Sequence, residues 1–399
     1  MIQFNISDRT KFMTESATLK MAQMARELKA KGHDIINLSL GEPDFDTPIH
    51  IKEAAKTALD QGQTKYTPVA GTLELRKAIS EKFKKENNLQ YSPDQIIVSN
   101  GAKQSFANLC FAMLNSGDEV IIFTPYWVSY YEIVKLADGV PVCLDSTVEN
   151  NYKPNAEDLR KCITAKSKML IFSSPCNPTG TVFHEKDLQE YVEVLKDYPN
   201  LIVISDEIYE QIIFDNKHVS IGSLSNMIER TVTINGFSKG FSMTGWRLGY
   251  LGGPKEIVDA CIKIQGQFTS GAAAFTQYAG ARALTSDLSP THLMRDEFKV
   301  RRDLCYDLLS QIPGLVVNKP EGAFYFLPDI KSYFGKSHNG EVIKNSEDLA
   351  LYLLHDAHTA LVSGEAFGAP NCLRISYSLS REKLREAISR IAVALGKLS

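Results

Sequence analysis

Residues 238–250 read SKGFSMTGWRLGY and place a lysine, Lys239, eight residues before an arginine, Arg247, in a glycine-containing loop. An apolar run of strand character at residues 231–234 and an Asn-Gly turn precede the lysine. The amine of Lys239 can therefore project from the end of a strand and form a Schiff base with an aldehyde. Arg247 can then bind a phosphate group through its guanidinium. The stretch predicts a covalent cofactor site at the end of a buried strand.

Length, charge and cysteine usage narrow the class of protein. A chain of 399 residues is too long for one ordinary core, which predicts two domains. The formal net charge of -3 gives no basic surface for nucleic acid. The first residues have neither signal-peptide nor transit-peptide character, and no apolar run approaches membrane-spanning length. Seven dispersed cysteines without a CxxC pair favour a reducing cytoplasm over a disulfide framework.

Strand and helix signals alternate through the middle of the chain. Short apolar runs of strand character cover residues 95–99, 119–124, 140–144, 169–173, 201–205, 231–234 and 248–251. Helical patterns cover residues 102–113, the stretch after Pro125, and residues 155–162 and 184–195. Such runs joined by helices predict an α/β fold, in which a mostly parallel sheet is flanked by helices on both faces. Ligands are then expected at the carboxyl ends of the strands.

The two ends of the chain differ from this middle part. Residues 16–31 have helical periodicity with Gly32 as an end signal, residues 35–38 are strand-like, and a Gly-Glu-Pro-Asp turn follows at 41–44. The C-terminal part predicts a long helix (288–311), short strands (315–317, 323–327 and 373–376), a mobile excursion (333–345) and a final helix from Arg381. We expect residues 47–287 to form a large domain. Residues 1–46 and 288–399 are expected to form a smaller α+β domain together.

Three polar residues follow predicted strand ends. Asp206 comes directly after the strand at 201–205, where a carboxylate is poorly placed against an apolar core. Taken alone, such an aspartate is typical of a helix N-cap. Tyr209 lies three residues later on the same side of a turn, and Asn177 lies in the loop after the strand at 169–173. The carboxyl edge of the sheet is where these side chains can meet a ligand held by Lys239.

A strand-glycine-helix junction at residues 98–104 predicts an anion site. The strand ends near Gly101, and the first backbone N–H groups of the helix, at Ala102 and Lys103, point along its positive dipole end. Ser238 can add a hydroxyl and Arg247 a bidentate clamp on a phosphate. Taken alone, a junction of this kind is equally typical of an ordinary turn.

Arg374 places a charge within an apolar strand, residues 371–377, which read NCLRISY. Burying an arginine there without an anion would be costly. Its guanidinium can grip a carboxylate in a fork that a lysine cannot reproduce. A structural salt bridge is the alternative interpretation.

These features together resemble the class I aminotransferases that use pyridoxal 5′-phosphate (PLP). The resemblance is to the aspartate aminotransferase branch, whose Met-Thr-Gly-Trp-Arg sequence stands here at residues 243–247, and it extends over nearly the whole chain. It implies the fold type I architecture and a homodimer with both active sites at the interface. It also implies that Lys239 binds PLP and that Asp206 lies opposite the ring nitrogen. Tyr209 and Asn177 match residues that hydrogen-bond the phenolic oxygen of PLP.

The resemblance assigns roles to the remaining candidate residues. Phosphate-binding positions of the family match Gly101, Ala102, Lys103, Ser238 and Arg247. Trp127 matches the aromatic residue that stacks on the ring, although alone it would be taken for a core tryptophan. Tyr66 matches a tyrosine that reaches the phosphate of the neighbouring subunit, although alone it would be an ordinary loop aromatic. Arg374 and Gly41 match positions that bind the substrate α-carboxylate, near Trp127 and Asn177.

Substrate specificity is indicated by two further matches. In aspartate-specific members of the branch, a lysine in the phosphate-loop helix and a threonine in the N-terminal segment help to recognise a distal carboxylate. Lys103 and Thr18 occupy these positions, so we expect aspartate as donor and 2-oxoglutarate as acceptor in a ping-pong reaction. The alternative is that Lys103 is a solvated lysine at the start of a helix and does not bind the substrate. Members that accept prephenate carry a basic residue where this chain has Thr14, and the nearby Lys11 does not align with that position. This disfavours prephenate as a substrate without excluding it.

Other functions stay open on the same residues. An aromatic or broad-range aminotransferase, or a PLP-dependent β-eliminating lyase, would use the same Lys239 and Asp206. A non-catalytic regulator with this fold would need a DNA-binding segment ahead of it. The residues that precede the first helix resembling the family are too few for such a segment, so we do not expect a regulator. The eight histidines lack HxH and HExxH spacing, so no metal is expected.

Overall fold

A computed structural model describes residues 4–11 and 13–399 of the chain. The first part of the structure is mostly helical. It comprises α1 (Asp8–Lys11), α2 (Ala17–Ala30), the short strand β1 (Ile36–Asn37), α3 (Ile49–Asp60) and α4 (Leu73–Asn87). Gly32 follows α2 with a φ of 93°, and this left-handed conformation ends the predicted helix because residues with a side chain rarely adopt it.

A seven-stranded sheet with surrounding helices forms the middle of the chain. Its elements are β2 (Ile96–Ser99), α5 (Ala102–Met113), β3 (Glu119–Phe123), α6 (Ser129–Leu136), β4 (Val140–Leu144), α7 (Ala156–Cys162), β5 (Ser167–Ser173), α8 (Glu185–Leu195), β6 (Ile202–Asp206), β7 (Thr231–Gly236), β8 (Gly249–Gly252), α9 (Lys255–Phe268) and α10 (Ala274–Thr285). The strand order is β2-β8-β7-β6-β5-β3-β4. All neighbours are parallel except β8, which runs antiparallel to β2 and β7. The predicted mostly parallel α/β sheet is confirmed.

The sheet is buried on both faces because consecutive positions of its strands are apolar. In β3, Ile122 packs in a cluster with Phe106 of α5, whereas the adjacent Ile121 packs in another cluster with Leu188 of α8. Neighbouring side chains of a strand point to opposite faces, so each face acquires its own helical layer. This arrangement leaves the strand ends as the places where polar side chains can face a ligand.

The reversal at β8 determines where the lysine-arginine stretch lies. β7 and β8 are joined by residues 237–248 without a crossover helix, and a direct connection of this kind gives antiparallel strands. Because β8 also pairs with β2, the end of this loop lies beside the start of α5. The approach is close: a Cβ on Gly249 would lie 2.3 Å from the backbone nitrogen of Ala102.

The C-terminal part packs with the N-terminal part. It comprises α11 (Ser289–Leu309), β9 (Tyr325–Phe326), β10 (Ser337–His338), β11 (Glu341–Val342), α12 (Ser346–Asp356), β12 (Thr359–Ala360), β13 (Val362–Ser363), β14 (Leu373–Ser376) and α13 (Arg381–Leu395). β1 pairs in parallel with β12, and Met21, Phe298 and Ile391 share one hydrophobic cluster. These contacts between the chain ends agree with the expected smaller domain, whose boundaries stay a prediction.

Two C-terminal segments, residues 315–317 and 333–345, contain structure that differs from or adds to the sequence prediction. Residues 315–317 do not form the predicted strand; Val316 makes an isolated bridge with Asp329 and is half exposed, since three apolar residues without a continuous partner strand do not extend a ladder. The expected excursion at 333–345 contains the hairpin of β10 and β11. Among the described helices, none combines the length and hydropathy needed to cross a bilayer.

Candidate active site

Lys239 lies three residues beyond β7, at the carboxyl edge of the sheet. Its Nζ donates a hydrogen bond to the Gly41 carbonyl and lies 5.8 Å from the centroid of the Tyr209 ring. Burial lowers the pKa of the Lys239 amine to about 8; the Glu42 carboxylate opposes this shift, whereas the positive charges of Arg374 and Arg247 add to it. The structure therefore holds this amine in an environment that favours its neutral form.

Asp206 is the last residue of β6 and is buried, with 5% of its surface exposed. One carboxylate oxygen accepts a hydrogen bond from the Tyr130 hydroxyl, and the other accepts one from the backbone N–H of Ile208 at 3.2 Å. Burial raises the pKa of Asp206 to about 6, while these two hydrogen bonds oppose the shift. A turn rather than a helix follows Asp206, so the N-cap alternative is excluded.

Tyr209 and Asn177 lie at the same edge of the sheet, and both are buried. The hydroxyl groups of Tyr209 and Tyr325 are 2.7 Å apart. The side-chain oxygen of Asn177 accepts a hydrogen bond of 3.1 Å from Nη1 of Arg374. The Tyr325 ring also lies beside the Arg374 guanidinium, so Tyr325, which the sequence did not indicate, connects Tyr209 to Arg374 and Asn177.

Arg374 lies within β14 and is 2% exposed. Its Nη2 donates a 2.6 Å hydrogen bond to the Ser39 carbonyl, whereas Nε has no hydrogen-bond partner among the described residues. The rings of Tyr325 and Phe367 flank the guanidinium, with centroids at 4.7 and 4.8 Å. Gly41 lies close by: a Cβ there would be 2.9 Å from the Tyr325 hydroxyl and 4.0 Å from Arg374. A charged fork with neutral partners and an unused donor is suited to bind a carboxylate.

Gly101 and Arg247 meet at the start of α5. A Cβ on Gly101, whose φ is 89°, would lie 2.5 Å from Nη2 of Arg247. Arg247 donates to the carbonyl of Thr244 at 2.8 Å and to that of Asn100 at 3.3 Å. The first N–H groups of α5, including that of Ala102, have no partner in their own helix. The glycine, the helix start and the guanidinium together form an anion cradle, and Ser238 is buried at the adjacent end of β7.

Lys103 and Trp127 form a second wall of the site. The Lys103 ammonium lies 5.0 Å from the centroid of a Trp127 ring. Burial lowers the pKa of Lys103, and the charge of Arg247 adds to the effect. Lys103 also lines a cavity of about 760 Å³, which Ala17 and Met21 of α2 border. Thr18 is not among the residues that line this cavity, and its expected role stays a prediction.

Tyr66 is placed outside this cluster. Its side chain is 99% exposed on the surface of the chain. The role expected for Tyr66 involves a neighbouring subunit and stays a prediction.

A buried charged cluster lies behind the site. Within residues 4–11 and 13–399, Glu207, Glu210 and His218 have metal-ligating atoms within 4.8 Å of one another. The Nζ of Lys82 forms an ion pair with Glu210, and the amide nitrogen of Asn87 donates to both glutamates. The Lys82 ammonium thus supplies positive charge to the acidic residues of this cluster. The spacing of histidines in the sequence did not indicate the cluster. Glu207 holds the pKa of His218 above its usual range, against the effect of burial.

Comparison with known proteins identifies the family. Residues 33–391 match the family described as aminotransferase class I and II. The chain is 47% identical over 399 residues to the bifunctional aspartate aminotransferase and glutamate/aspartate-prephenate aminotransferase of Petunia hybrida, with 99% of this chain and 83% of that protein covered. It is 44% identical over 388 residues to the aspartate aminotransferase of Bacillus sp. (strain YM-2), with 97% and 98% covered. The solved structure of the aspartate aminotransferase from Rhizobium meliloti matches with a TM-score of 0.96 and 41% identity, covering all of both chains. The chain therefore belongs to the class I and II aminotransferase family.

Proposed function

We propose that this chain moves the amino group of an L-amino acid, preferentially aspartate, to 2-oxoglutarate in a ping-pong reaction. The chain belongs to the aminotransferase family, and the relatives named above are aspartate aminotransferases. One observation carries the proposal: Lys239 lies within electrostatic reach of both Asp206 and Arg374, and each of these charged groups hydrogen-bonds neutral partners. Charged side chains arranged in this way are suited to a ligand that carries both signs of charge.

The cofactor of this family is pyridoxal 5′-phosphate, and the residues present fit it. The space beside Gly101 would be filled by a Cβ, and the donors to the buried Asp206 carboxylate among the described residues, Tyr130 and the Ile208 N–H, are neutral. When bound, PLP supplies a conjugated ring whose protonated nitrogen accepts the electron pair left on the substrate Cα after deprotonation. We assign its binding to the amine of Lys239, the ring contact of Trp127, the polar groups of Asp206, Tyr209 and Asn177, and the phosphate donors of Gly101, Ala102, Lys103, Ser238 and Arg247.

Lys239 is assigned the proton transfer at the substrate Cα. An amine with a pKa of about 8 is partly neutral near pH 7, whereas an unperturbed lysine is almost fully charged. A neutral amine can take a proton and later return it. Its hydrogen bond to the Gly41 carbonyl keeps it near the predicted position of the α-carboxylate.

Asp206 is assigned the task of keeping a proton on the ring nitrogen. A carboxylate performs this task only in its charged form, and burial disfavours that form. The hydrogen bonds from Tyr130 and Ile208 favour the charged form, and a cationic group facing Asp206 would favour it further.

Substrate recognition divides between two cations. Arg374 and Gly41 would bind the α-carboxylate, which every amino acid carries. Lys103 would bind the distal carboxylate of aspartate, because its ammonium lies beside the Trp127 ring and within electrostatic reach of Arg247. Thr18, which follows Ala17 on α2, is proposed to assist Lys103.

The proposal also covers how the chain assembles, how it divides into domains and where in the cell it is located. We infer a homodimer in which Tyr66 of one subunit reaches the phosphate site of the other, since its side chain is almost fully exposed on its own chain and is accessible to a partner. We also propose the domain division into residues 47–287 and residues 1–46 with 288–399. The seven free cysteines support a cytoplasmic location.

Prephenate is the second candidate substrate, because the Petunia hybrida relative carries prephenate in its name. Thr14 stands at the basic position of the prephenate-accepting members, and its hydroxyl donates to Glu132 at 2.9 Å. Lys11 pairs with Asp8 at 2.5 Å on α1. We therefore rank aspartate above prephenate. A β-eliminating lyase would release pyruvate and ammonia without consuming an oxo acid, and the products decide between the two reactions.

Lys239→Ala provides the test of the proposed function. The purified wild type should have visible absorbance from bound PLP and lose it when titrated with aspartate. Lys239→Ala should lack the absorbance that arises from the covalent bond between the lysine and PLP, and turnover should fall by at least roughly 10²–10⁴-fold. The matched control is Lys153→Ala, which removes a partly buried lysine paired with Asp187 away from the site. Near-normal turnover in Lys239→Ala would refute the assignment.

A further inference from the structure

Tyr130 connects two of the proposed PLP-binding residues. It lies in the first turn of α6, is 1% exposed, and donates its hydroxyl hydrogen bond to the Asp206 carboxylate. Its ring also meets the Trp127 ring edge to face, with centroids 5.4 Å apart and planes at 88°. One buried side chain therefore contacts both the carboxylate assigned to the ring nitrogen and the aromatic residue assigned to the ring face.

The position of Tyr130 is fixed from several sides. Its backbone N–H donates to the Trp127 carbonyl at 2.9 Å, and the Phe106 ring of α5 lies edge to face with it at 5.1 Å. A hydroxyl on a ring held in this way has little freedom to leave Asp206, so the hydrogen bond is preorganised.

The other titratable groups near Asp206 act on it without such a bond. Glu207 follows it in the chain and disfavours its charged form, whereas Lys239 favours that form. The Cys176 thiol and the Tyr209 hydroxyl also lie within electrostatic reach of it. Within the described residues, the Asp206 carboxylate accepts one hydrogen bond from a side chain, the Tyr130 hydroxyl, and one from the backbone, the Ile208 N–H.

We infer that Tyr130 is a positioning residue of the transamination reaction, which acts through Asp206 by keeping its carboxylate charged and aimed at the ring nitrogen. The inference rests on the proposed function, because it assumes the role assigned to Asp206. Tyr130 itself need not touch the substrate. Its loss should therefore alter the protonation of the ring nitrogen before it alters substrate binding.

Tyr130→Phe removes the hydroxyl and keeps the ring. With ¹⁵N-labelled PLP bound, the ratio of protonated to neutral ring nitrogen at neutral pH should fall by about tenfold, because Asp206 without this hydrogen bond is more basic and takes the shared proton more readily. The kcat for aspartate should fall about 10- to 100-fold with KM changed little, and the isotope effect of deuterium at Cα should increase. The control is Tyr191→Phe on α8, which removes a buried hydroxyl that donates to the Pro154 carbonyl and should change none of these readouts.

A double-mutant cycle with Asp206→Asn separates the inference from the proposed function. If Tyr130 acts through the Asp206 charge, adding Tyr130→Phe to Asp206→Asn should slow kcat less than about threefold. Additive losses, or an unchanged protonation of the ring nitrogen in Tyr130→Phe, would overturn the inference and leave packing as the role of Tyr130. Wild-type behaviour of Asp206→Asn alone would instead overturn the assignment of Asp206. Because the ¹⁵N signal comes from folded protein with PLP bound, a lower yield of Tyr130→Phe does not obscure the result.

Discussion

Arg374→Lys should lower kcat/KM for every amino-acid donor by the same factor. The guanidinium has Nη1 on Asn177, Nη2 on the Ser39 carbonyl and a free Nε, which leaves a planar fork for a carboxylate. A lysine keeps the charge but cannot form a bidentate pair, so one charge-assisted hydrogen bond, about 1.5–3 kcal/mol, is lost in the complex. At about 1.4 kcal/mol per tenfold, kcat/KM should fall roughly 10- to 150-fold.

A second cost of this substitution should appear in stability instead. Asn177 or the Ser39 carbonyl would lose its donor in the free protein as well as in the complex, so this loss cancels from kcat/KM. It should lower the free energy of unfolding by about 1–3 kcal/mol. The two effects are therefore separable by measuring steady-state kinetics and denaturant unfolding on the same preparation.

The assay compares aspartate, alanine and phenylalanine as donors with 2-oxoglutarate as acceptor. Arg302→Lys is the matched control, because Arg302 is equally buried and hydrogen-bonds the Pro320 carbonyl and Asp215, neither of which is a proposed site residue. It should lose stability and keep kcat/KM. A loss confined to aspartate in Arg374→Lys would mean that Arg374 binds the side-chain carboxylate, and no loss at all would remove it from the substrate site.

Three further predictions address specificity, cofactor binding and stability. Lys103→Ala should reduce kcat/KM for aspartate by roughly 1.5–3 kcal/mol and leave phenylalanine unchanged, whereas equal losses would assign Lys103 to the phosphate loop. Gly101→Ala should weaken PLP binding to the apoprotein at least about tenfold, because its Cβ would lie 2.5 Å from a guanidinium nitrogen. The control is Gly117→Ala, which has a similar φ of 90° and open space around it and should bind PLP normally. Equal PLP affinities of the two variants would refute the proposed anion cradle. Lys82→Met should lower the free energy of unfolding at neutral pH by about 3–5 kcal/mol, because the buried Glu210 would lose the ammonium of its ion pair; an unchanged urea midpoint would contradict this.

Local patterns predicted most of the secondary structure. Helix α5 (102–113) and strand β4 (140–144) have the predicted bounds, because periodicity and apolar runs depend on neighbouring residues. The error at 315–317 has the opposite cause. Three apolar residues meet the pattern for a strand, but a strand also needs a partner, and residue 316 finds only an isolated bridge.

The candidate site was predictable as a set of residues but not as a set of contacts. Lys239 and Arg247 stand out because the motif is continuous in sequence, and Asp206 because it ends an apolar run. Tyr130 carried one local signal, its spacing of three residues from Trp127, which places both on one side of a helical turn. Nothing local indicated that its hydroxyl would meet a carboxylate 76 residues away.

The sequence by itself determined that this protein has a lysine at a strand end, a phosphate-type glycine junction, and a mostly parallel sheet buried on both faces, because each depends on short-range spacing and polarity. Only the tertiary structure decided that Arg374 meets the backbone of Ser39, 335 residues away, and that Arg247 lies beside Gly101. Those contacts follow from strand order and from the reversal at β8, which long-range packing selects. The same packing takes charged groups out of water, and in this way gives Asp206 and Lys239 pKa values that their positions in the sequence do not contain.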